Sequence, residues 1–256
     1  MDAYTCFWLI TIFLLGLCTG SFLNVVIYRL PRGESITLDR SHCPSCGKQL
    51  SWYDLIPVFS YLILLGKCRA CHSRISLRYP LVELLTGIIF AVLFLYFGIN
   101  AVLLKYLFLS ALLVAVTFID LEHYIIPNPL VITGLIGGVI LNVAARDVGA
   151  VSALIGILVT SGFLLLIALV SKGGMGGGDI KLAAVTGLFL GWPHAPLGLF
   201  LGACVGGLLA IILLLFGLRG RKDPLPFGPF IAIGTFIAFL YGAEIINWYL
   251  QYFQIN

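Results

Sequence analysis

The sequence carries little charge for its length. Only 10% of its 256 residues are charged, with 11 acids and 15 Lys or Arg, whereas a soluble domain has about 25% charged residues. So few charges cannot cover the surface of a soluble globule of this size. The hydrophobic content of 61% also excludes a disordered chain, and seven cysteines are too few for a disulfide scaffold. A polytopic membrane protein remains.

Alternating segments of about ten residues, which are typical of a membrane β-barrel, are also lacking. The apolar runs instead have the length of helices, of which each needs about 20 mostly apolar residues to cross a bilayer. We therefore predict an all-α polytopic membrane protein with about eight transmembrane helices. The predicted spans lie near residues 6–28, 80–98, 101–119, 129–145, 150–170, 180–192, 196–217 and 228–247, and the sixth is the shortest.

Basic residues predict the topology. Asp2 is the only charged residue before the first span, so this span lacks a basic amino-terminal region and is not expected to be a cleaved signal peptide. The basic residues that follow the span predict an amino terminus outside. With this orientation, thirteen of the 15 Lys and Arg fall on the predicted cytoplasmic side, eight of them within residues 29–79. The other five are Lys172, Lys181, Arg219, Arg221 and Lys222. Only Lys105 and Arg146 fall elsewhere.

Three parts follow from this topology. Residues 1–28 form the first transmembrane helix, 29–79 form a small cytoplasmic domain between the first and second spans, and 80–256 form a helical membrane domain. The net charge of +4 then lies where the positive-inside rule and anionic lipids favour it. Membrane lipids are therefore the expected partners of the basic residues, and nucleic acid is not.

The cytoplasmic domain contains two CxxC pairs separated by 21 residues. Each pair places two thiolates on one turn, and two such turns complete a tetrahedral Zn²⁺ site. Two structural disulfides or a redox CxxC are the alternatives. A cytoplasmic location disfavours stable disulfides, and no thioredoxin-like βαβ pattern surrounds either pair. We predict a structural zinc site whose ligands are Cys43, Cys46, Cys68 and Cys71.

Acids in or near a span are candidates for function. Those on the predicted cytoplasmic side are Glu83, Asp120, Glu122 and Asp179. Asp120 ends the third span, and Asp179 begins the sixth after the glycine-rich stretch 173–178, so the topology brings both to one face. Two neighbouring carboxylates tend to share one proton and can then act as general base and general acid, which is the chemistry of an aspartic protease.

Other interpretations of these residues stay open at this point. Asp179 can be a helix cap, and the glycines can form a loop or a helix-packing surface. A transporter or assembly scaffold with a zinc-binding cytoplasmic domain is the alternative function, in which the acids would relay protons or bind ions. Other catalytic motifs, namely HExxH, GxSxG and the phosphate-binding P-loop, are absent from the sequence.

Several segments together resemble the bacterial type IV prepilin peptidases, which are membrane aspartic proteases of the GxGD type. The resemblance includes both CxxC pairs and extends over nearly the whole chain in the same order and spacing. The other matching segments are 20–31 (GSFLNVVIYRLP), 79–83 (YPLVE), 120–128 (DLEHYIIPN), 176–181 (GGGDIK) and 226–229 (PFGP). Presenilin-like and signal-peptide-peptidase enzymes share only the GxGD element and lack the cysteine domain.

The resemblance implies a function. Asp120 and Asp179 would be the catalytic pair of an endopeptidase within 80–256, which removes the basic leader of prepilins or pseudopilins at the cytoplasmic face of the bacterial inner membrane. It also implies methylation of the new amino terminus with S-adenosylmethionine. No motif places the methyl-donor site, and the region to test first is 29–79 with Glu83.

Overall fold

A computed structural model describes residues 2–37, 40–171, 174–218, 220 and 223–252. Lys172, Gly173, Arg219, Arg221 and Lys222, which entered the sequence predictions, lie outside these residues. The helices are α1 (Ala3–Arg29), α2 (Phe59–Ile63), α3 (Arg78–Phe97), α4 (Ala101–His123), α5 (Asn128–Ala145), α6 (Ala150–Val170), α7 (Gly177–Leu190), α8 (His194–Leu215) and α9 (Gly228–Tyr252). Across the described ranges, β-structure is limited to two isolated bridges.

The all-α polytopic prediction is confirmed, with one difference in the count of spans. Seven helices of the described chain are long and apolar enough to cross a membrane, and α7 is not among them. Its 14 residues span about 21 Å, short of the roughly 30 Å of a bilayer core. The predicted sixth span, 180–192, is therefore a helix of the membrane domain that is too short to cross the bilayer by itself.

The chain divides into two compact units, Met1–Ala115 and Val116–Asn256, and the boundary lies inside α4. In the first unit α1 packs against α3, and the segment that joins these two helices contains both CxxC pairs. In the second unit α7 packs against α5, α6, α8 and α9.

The α1–α3 interface of the first unit brings two backbones into contact. A β-carbon on Gly20 would lie 2.6 Å from the Cα of Glu83, so no larger residue fits there. One turn further along α1, the side-chain amide of Asn24 donates to the carbonyl of Tyr79 (3.0 Å). The small residue therefore sets the distance between the two helices that carry Asn24 and Glu83.

α7 is the most enclosed helix of the second unit. Its buried residues are Leu182, Ala183, Val185, Thr186, Gly187, Leu188, Phe189 and Leu190. Gly187 lies against the backbone of Gly156 on α6, and Thr160 of α6 donates to the carbonyl of Ala183 (2.8 Å). A helix that is covered by other helices has little contact with lipid, which explains why α7 does not need the length of a spanning helix.

Candidate active site

Asp120 lies near the C-terminal end of α4 and is only 5% exposed. The N–H of Tyr124 closes the last turn on the Asp120 carbonyl (2.9 Å), and the left-handed backbone of Tyr124 (φ 56°) ends the helix. The chain then runs through residues 125–127 to the start of α5. The end of α4 thus holds the Asp120 carboxylate in the interior, and the loop that follows begins after His123.

The carboxylate of Asp120 has one fixed backbone partner. The N–H of Gly228 donates to Asp120 Oδ2 at 2.8 Å, across 108 residues of sequence. Gly228 is the first residue of α9, so the positive end of this helix faces the carboxylate. A β-carbon on Gly228 would lie 2.8 Å from the same oxygen. Only glycine therefore allows this contact at its present distance.

Asp179 lies in the first turn of α7, two residues after Gly177, where the helix begins. The N-cap of α7 is Gly176, and the N–H of Asp179 donates to its carbonyl (3.1 Å). A β-carbon on Gly176 would lie 2.8 Å from Asp179 Oδ2, so the carboxylate folds back over the cap. The interpretation of Asp179 as the N-cap itself is therefore wrong, because glycine holds that position.

The structure brings Asp120 and Asp179 together within the second unit, where their carboxyl groups interact electrostatically. Each carboxylate lies at the amino-terminal end of a helix, α9 for Asp120 and α7 for Asp179. The positive ends of the two helices oppose the repulsion between the acids. Two neighbouring acids of this kind can share one proton and activate a water, as acid–base hydrolysis of a peptide bond requires.

Two further contacts fix the start of α7 near the loop after α4. Gly178 lies against Ile126 so closely that a β-carbon would be 2.9 Å from the Cβ of Ile126. The ammonium of Lys181 donates to the side-chain oxygen of Asn128, the first residue of α5, at 2.8 Å. The starts of α5 and α7 are thereby tied to each other, which positions the first turn of α7, where Asp179 lies.

The other two acids singled out from the sequence have different surroundings. Glu122 is on the exposed side of α4, 4.0 Å from the imidazole of His123. Glu83 is a buried residue of α3 in the first unit, and its Oε2 accepts the N–H of Val58 at 2.7 Å. Glu83 therefore faces the cysteine-containing segment.

The four predicted metal ligands form one cluster in the first unit. The sulfurs of Cys43, Cys46, Cys68 and Cys71 all lie within 4.8 Å of one another, and all four cysteines are free thiols. Zn–S bonds of about 2.3 Å in a tetrahedron place sulfurs about 3.8 Å apart. The separations therefore fit a zinc ion, and the two alternative structural disulfides are not formed.

The two CxxC turns have the same backbone geometry. The N–H of Gly47 donates to the Cys43 carbonyl (2.8 Å), and the N–H of His72 donates to the Cys68 carbonyl (2.9 Å). Gly47 and His72 both have left-handed backbones (φ 70° and 56°). His72 thus occupies the same turn position as Gly47, which explains its place beside the cluster without a role as a ligand.

Hydrogen bonds favour ionised thiolates at Cys43 and Cys71. At Cys46 the N–H of Lys48 acts in the same direction, but the neighbouring thiols of Cys71 and Cys43 raise the pKa to about 11. Burial opposes ionisation of the Cys43 thiol, but the backbone N–H groups of Cys46 and Ser45, together with neighbouring thiols, lower its pKa to about 6. The hydroxyl and backbone of Ser73 lower the pKa of Cys71. A turn that presents N–H donors to sulfur is suited to holding thiolates for a cation.

Sequence reasoning assigned no role to the amide of Gly228. The segment 226–229 entered only through a family resemblance, because a backbone N–H leaves no side-chain pattern in a sequence. The pairing of Asn128 with Lys181 was missed for a related reason: each is an ordinary polar residue near a helix start. A glycine followed by proline at the start of a span was the available signal for Gly228.

Fold and site together define a multi-pass membrane protein with a carboxylate pair in one unit and a four-thiol cluster in the other. Residues 14–97 match the Bacterial Peptidase A24 N-terminal domain, and residues 107–211 match the Type IV leader peptidase family. The chain belongs to the type IV leader peptidase family.

Several similar proteins are named prepilin leader peptidase/N-methyltransferase. One from Aeromonas hydrophila is 37% identical, covering 94% of this chain and 93% of its own. One from Bacillus subtilis (strain 168) is 37% identical, covering 94% and 97%, and one from Legionella pneumophila is 34% identical, covering 98% and 97%. No solved structure matches the chain.

Proposed function

We propose that this chain is a membrane aspartic endopeptidase that removes the basic leader of type IV prepilins or pseudopilins, and that it methylates the new amino terminus. Asp120 and Asp179 are the catalytic residues of this proposal. The observation that carries it is the carboxylate pair of the second unit, with Gly228 bound to one member. The names of the relatives supply the substrate class and the second activity.

The geometry suits a water-mediated mechanism. Because Asp120 Oδ2 accepts the N–H of Gly228, it does not carry the shared proton. Asp120 Oδ1 and the Asp179 carboxyl are then left to hold that proton and the water. One carboxylate takes a proton from the water, and the water oxygen attacks the scissile carbonyl carbon. The other acid protonates the carbonyl oxygen. The tetrahedral intermediate then expels the amine, which takes a proton from the first acid, and one hydroxyl of the intermediate returns its proton to the second acid.

The basic residues support an orientation for this proposal. Thirteen of 15 lie on one predicted side of the membrane, the side to which Asp120 and Asp179 are also assigned. The chain is thus proposed to lie in the inner membrane with its active site towards the cytoplasm. The division into 1–28, 29–79 and 80–256 belongs to the same proposal.

Two non-protein groups complete the proposal. Cys43, Cys46, Cys68 and Cys71 would hold Zn²⁺, which would fix the fold of 29–79 without taking part in a reaction step. S-adenosylmethionine, when bound, would supply an electrophilic methyl group.

The alternative function, a transporter or scaffold, gains no support from relatives that are named as enzymes.

The test is cleavage of a purified type IV prepilin by the full chain in detergent. Asp120→Asn and Asp179→Asn keep the size of each side chain and remove its acid–base function. Each is expected to reduce the cleavage rate by about 10²–10⁴-fold. Asp147→Asn, which changes an exposed acid before α6, is the matched control and should leave the rate unchanged. Cleavage by the Asp179→Asn protein at the wild-type rate would disprove the peptidase assignment.

A further inference from the structure

A large cavity lies in the first unit, where α1, the start of α3 and the cysteine-containing segment meet. Its volume is about 680 Å³, and its lining includes Asn24, Tyr61, Tyr79 and Glu83. Six basic residues also belong to the lining: Arg29, Arg32, Lys48, Arg69, Arg74 and Arg78. Sites for small molecules of drug size have about 300–1,000 Å³ and a few polar groups placed among apolar and aromatic side chains. The cavity therefore has the size and lining of a binding site for a small molecule.

Asn24 belongs to the lining of this cavity and carries an unsatisfied acceptor. Its side chain is 2% exposed, and its amide nitrogen donates to the carbonyls of Gly20 (3.3 Å) and Tyr79 (3.0 Å). Because both partners are acceptors, the amide orientation is fixed and the oxygen is Oδ1. Within the described part of the chain, no donor reaches that oxygen. A buried acceptor without a donor is unfavourable, so Asn24 is suited to a ligand with an N–H or O–H group.

Glu83 contributes a buried acid to the same cavity. It is 7% exposed, and its Oε2 accepts the N–H of Val58. The hydroxyl of Ser21 is a further partner of the carboxyl group. Both partners are neutral donors, so neither supplies a counter-charge to this acid, and a cationic ligand would supply one. The peptidase mechanism does not use this acid.

We propose that this cavity is the site for the methyl donor, a sulfonium nucleoside such as S-adenosylmethionine, with Glu83 facing the sulfonium and Asn24 Oδ1 accepting from the nucleoside. The proposal rests on the methyltransferase activity proposed above. The cation of this ligand matches the acid, its planar base matches the tyrosine rings, and its sugar hydroxyls match the unsatisfied acceptor. Its carboxylate matches the basic residues of the lining. The basic leader of a prepilin is also cationic, but the buried single acceptor and the limited volume favour a compact ligand.

The methyl transfer that the ligand supports is balanced without another reactant. The new amino terminus of the substrate loses one proton to water and becomes a neutral amine. Its nitrogen lone pair attacks the methyl carbon, the C–S bond breaks, and that electron pair stays on sulfur. The products are a secondary ammonium on the pilin and an uncharged thioether, S-adenosylhomocysteine.

The decisive experiment compares the two forms of the ligand. Binding of S-adenosylmethionine and of S-adenosylhomocysteine to the purified full chain is measured by calorimetry. In Glu83→Gln the amide oxygen can still accept the N–H of Val58, so only the charge is lost. We expect the Kd for the sulfonium form to rise about tenfold and that for the thioether to change by about twofold or less. Glu34→Gln, an exposed acid of the same unit, is the matched control and should change neither.

A second variant tests the acceptor. Asn24→Leu is expected to weaken both ligands equally, by about tenfold, because the lost hydrogen bond is to a part that they share. Prepilin cleavage and zinc content of the same preparation report whether the variant is folded. If Asn24→Leu does not fold, the Glu83→Gln comparison decides alone.

The possible outcomes separate the two proposals. If the wild type binds no S-adenosylmethionine and leaves the cleaved pilin unmethylated, the methyltransferase function itself fails. If the wild type binds and methylates but Glu83→Gln binds both ligands normally, the placement of the site in this cavity is overturned. If a leader peptide competes with S-adenosylmethionine for the wild type and loses affinity in Glu83→Gln, the cavity belongs to the substrate, which also overturns the proposal.

Discussion

The two units differ in the sequence distance over which each assembles its chemistry. In the first unit each half of the cysteine cluster is a short turn, in which a CxxC pair and the following residue close one hydrogen-bonded loop. In the second unit, Asp120 on α4, Asp179 on α7 and Gly228 on α9 meet only after the helices have packed. A metal-type site can therefore be predicted from the spacing of cysteines in the sequence, whereas a carboxylate pair depends on which helices pack together.

A substitution in the cysteine cluster is expected to have the largest effect, which is the loss of bound zinc. Cys43→Ser removes a buried thiolate, so bound zinc should fall from about one ion per chain to almost none. If the two chemistries are separate, methylation of the pilin should fall by at least about tenfold and cleavage by less than about threefold. Metal analysis and mass spectrometry of the product measure both.

The matched control for this prediction is Cys204→Ser, which changes a lone exposed cysteine of α8 and should leave zinc content unchanged. Equal losses of cleavage and methylation in the Cys43→Ser protein would contradict the separation. They would show that the second unit needs an intact cysteine cluster.

The next effect concerns the backbone partner of Asp120. Gly228→Ala would place a β-carbon 2.8 Å from Asp120 Oδ2, so the carboxylate must move. A displacement of this kind at a catalytic group is expected to slow cleavage by about 10- to 100-fold. Affinity for the methyl donor should stay within about twofold of wild type, because the altered residue belongs to the second unit. Single-turnover cleavage and calorimetry are the measurements.

Gly207→Ala is the control for Gly228→Ala, because a β-carbon on Gly207 of α8 would meet nothing within 4 Å. It should leave cleavage at the wild-type rate. If Gly228→Ala also cleaves normally, the hydrogen bond to Asp120 does not position this residue for catalysis.

A substitution at the α1–α3 interface is expected to have a smaller effect, and it should change ligand affinity more than cleavage. Gly20→Ala would place a β-carbon 2.6 Å from the Cα of Glu83 and push the two helices apart. Overpacking of this kind costs about 1 kcal/mol or more, and about 1 kcal/mol corresponds to a roughly fivefold rise in the Kd for S-adenosylmethionine. Cleavage should change by less than about twofold.

Gly162→Ala of α6, whose β-carbon would contact nothing within 4 Å, provides the comparison for Gly20→Ala. Its ligand affinity should equal that of the wild type. A Gly20→Ala protein with unaltered affinity would show that the spacing of α1 and α3 does not determine the shape of the cavity.

The smallest effect on stability is expected from removing the hydrogen bond between Lys181 and Asn128, which joins the starts of α7 and α5. Asn128→Ala and Lys181→Met each remove one partner of an exposed hydrogen bond. Because solvent competes at such a site, a double-mutant cycle on thermal unfolding should give a coupling energy of only about 0.5 kcal/mol. Additive effects of the two substitutions would show that the contact contributes nothing measurable to the second unit.

Much of the fold could be predicted because composition and periodicity are local properties. The apolar runs determine where helices lie, and all eight predicted spans correspond to helices of the structure. The length of α7 could not be predicted in the same way. Its apolar run continues past Leu190 to Trp192, whereas the helix ends at Leu190 and is capped by Gly191, which has a positive φ (63°).

For the candidate site, the sequence identified the acids but not what surrounds them. Asp120 and Asp179 stood out because carboxylates are rare in apolar spans. Their partners did not stand out, because the contact from Gly228 is made by a backbone amide and Asn24 is one amide in an otherwise ordinary helix. Such contacts depend on which helices become neighbours, and a single sequence carries no direct record of that.

Hydropathy, cysteine spacing and the rarity of acids in apolar runs are properties of the order of residues. The membrane class, the four cysteines and the two acids could therefore be predicted without a fold. Three other features depend on folding: α9 presents Gly228 to Asp120, Asp179 follows a glycine cap, and a cavity beside Glu83 lies where α1, α3 and the cysteine-containing segment meet. The physical reason is that these features come from backbones in close contact, and helix packing alone brings them together.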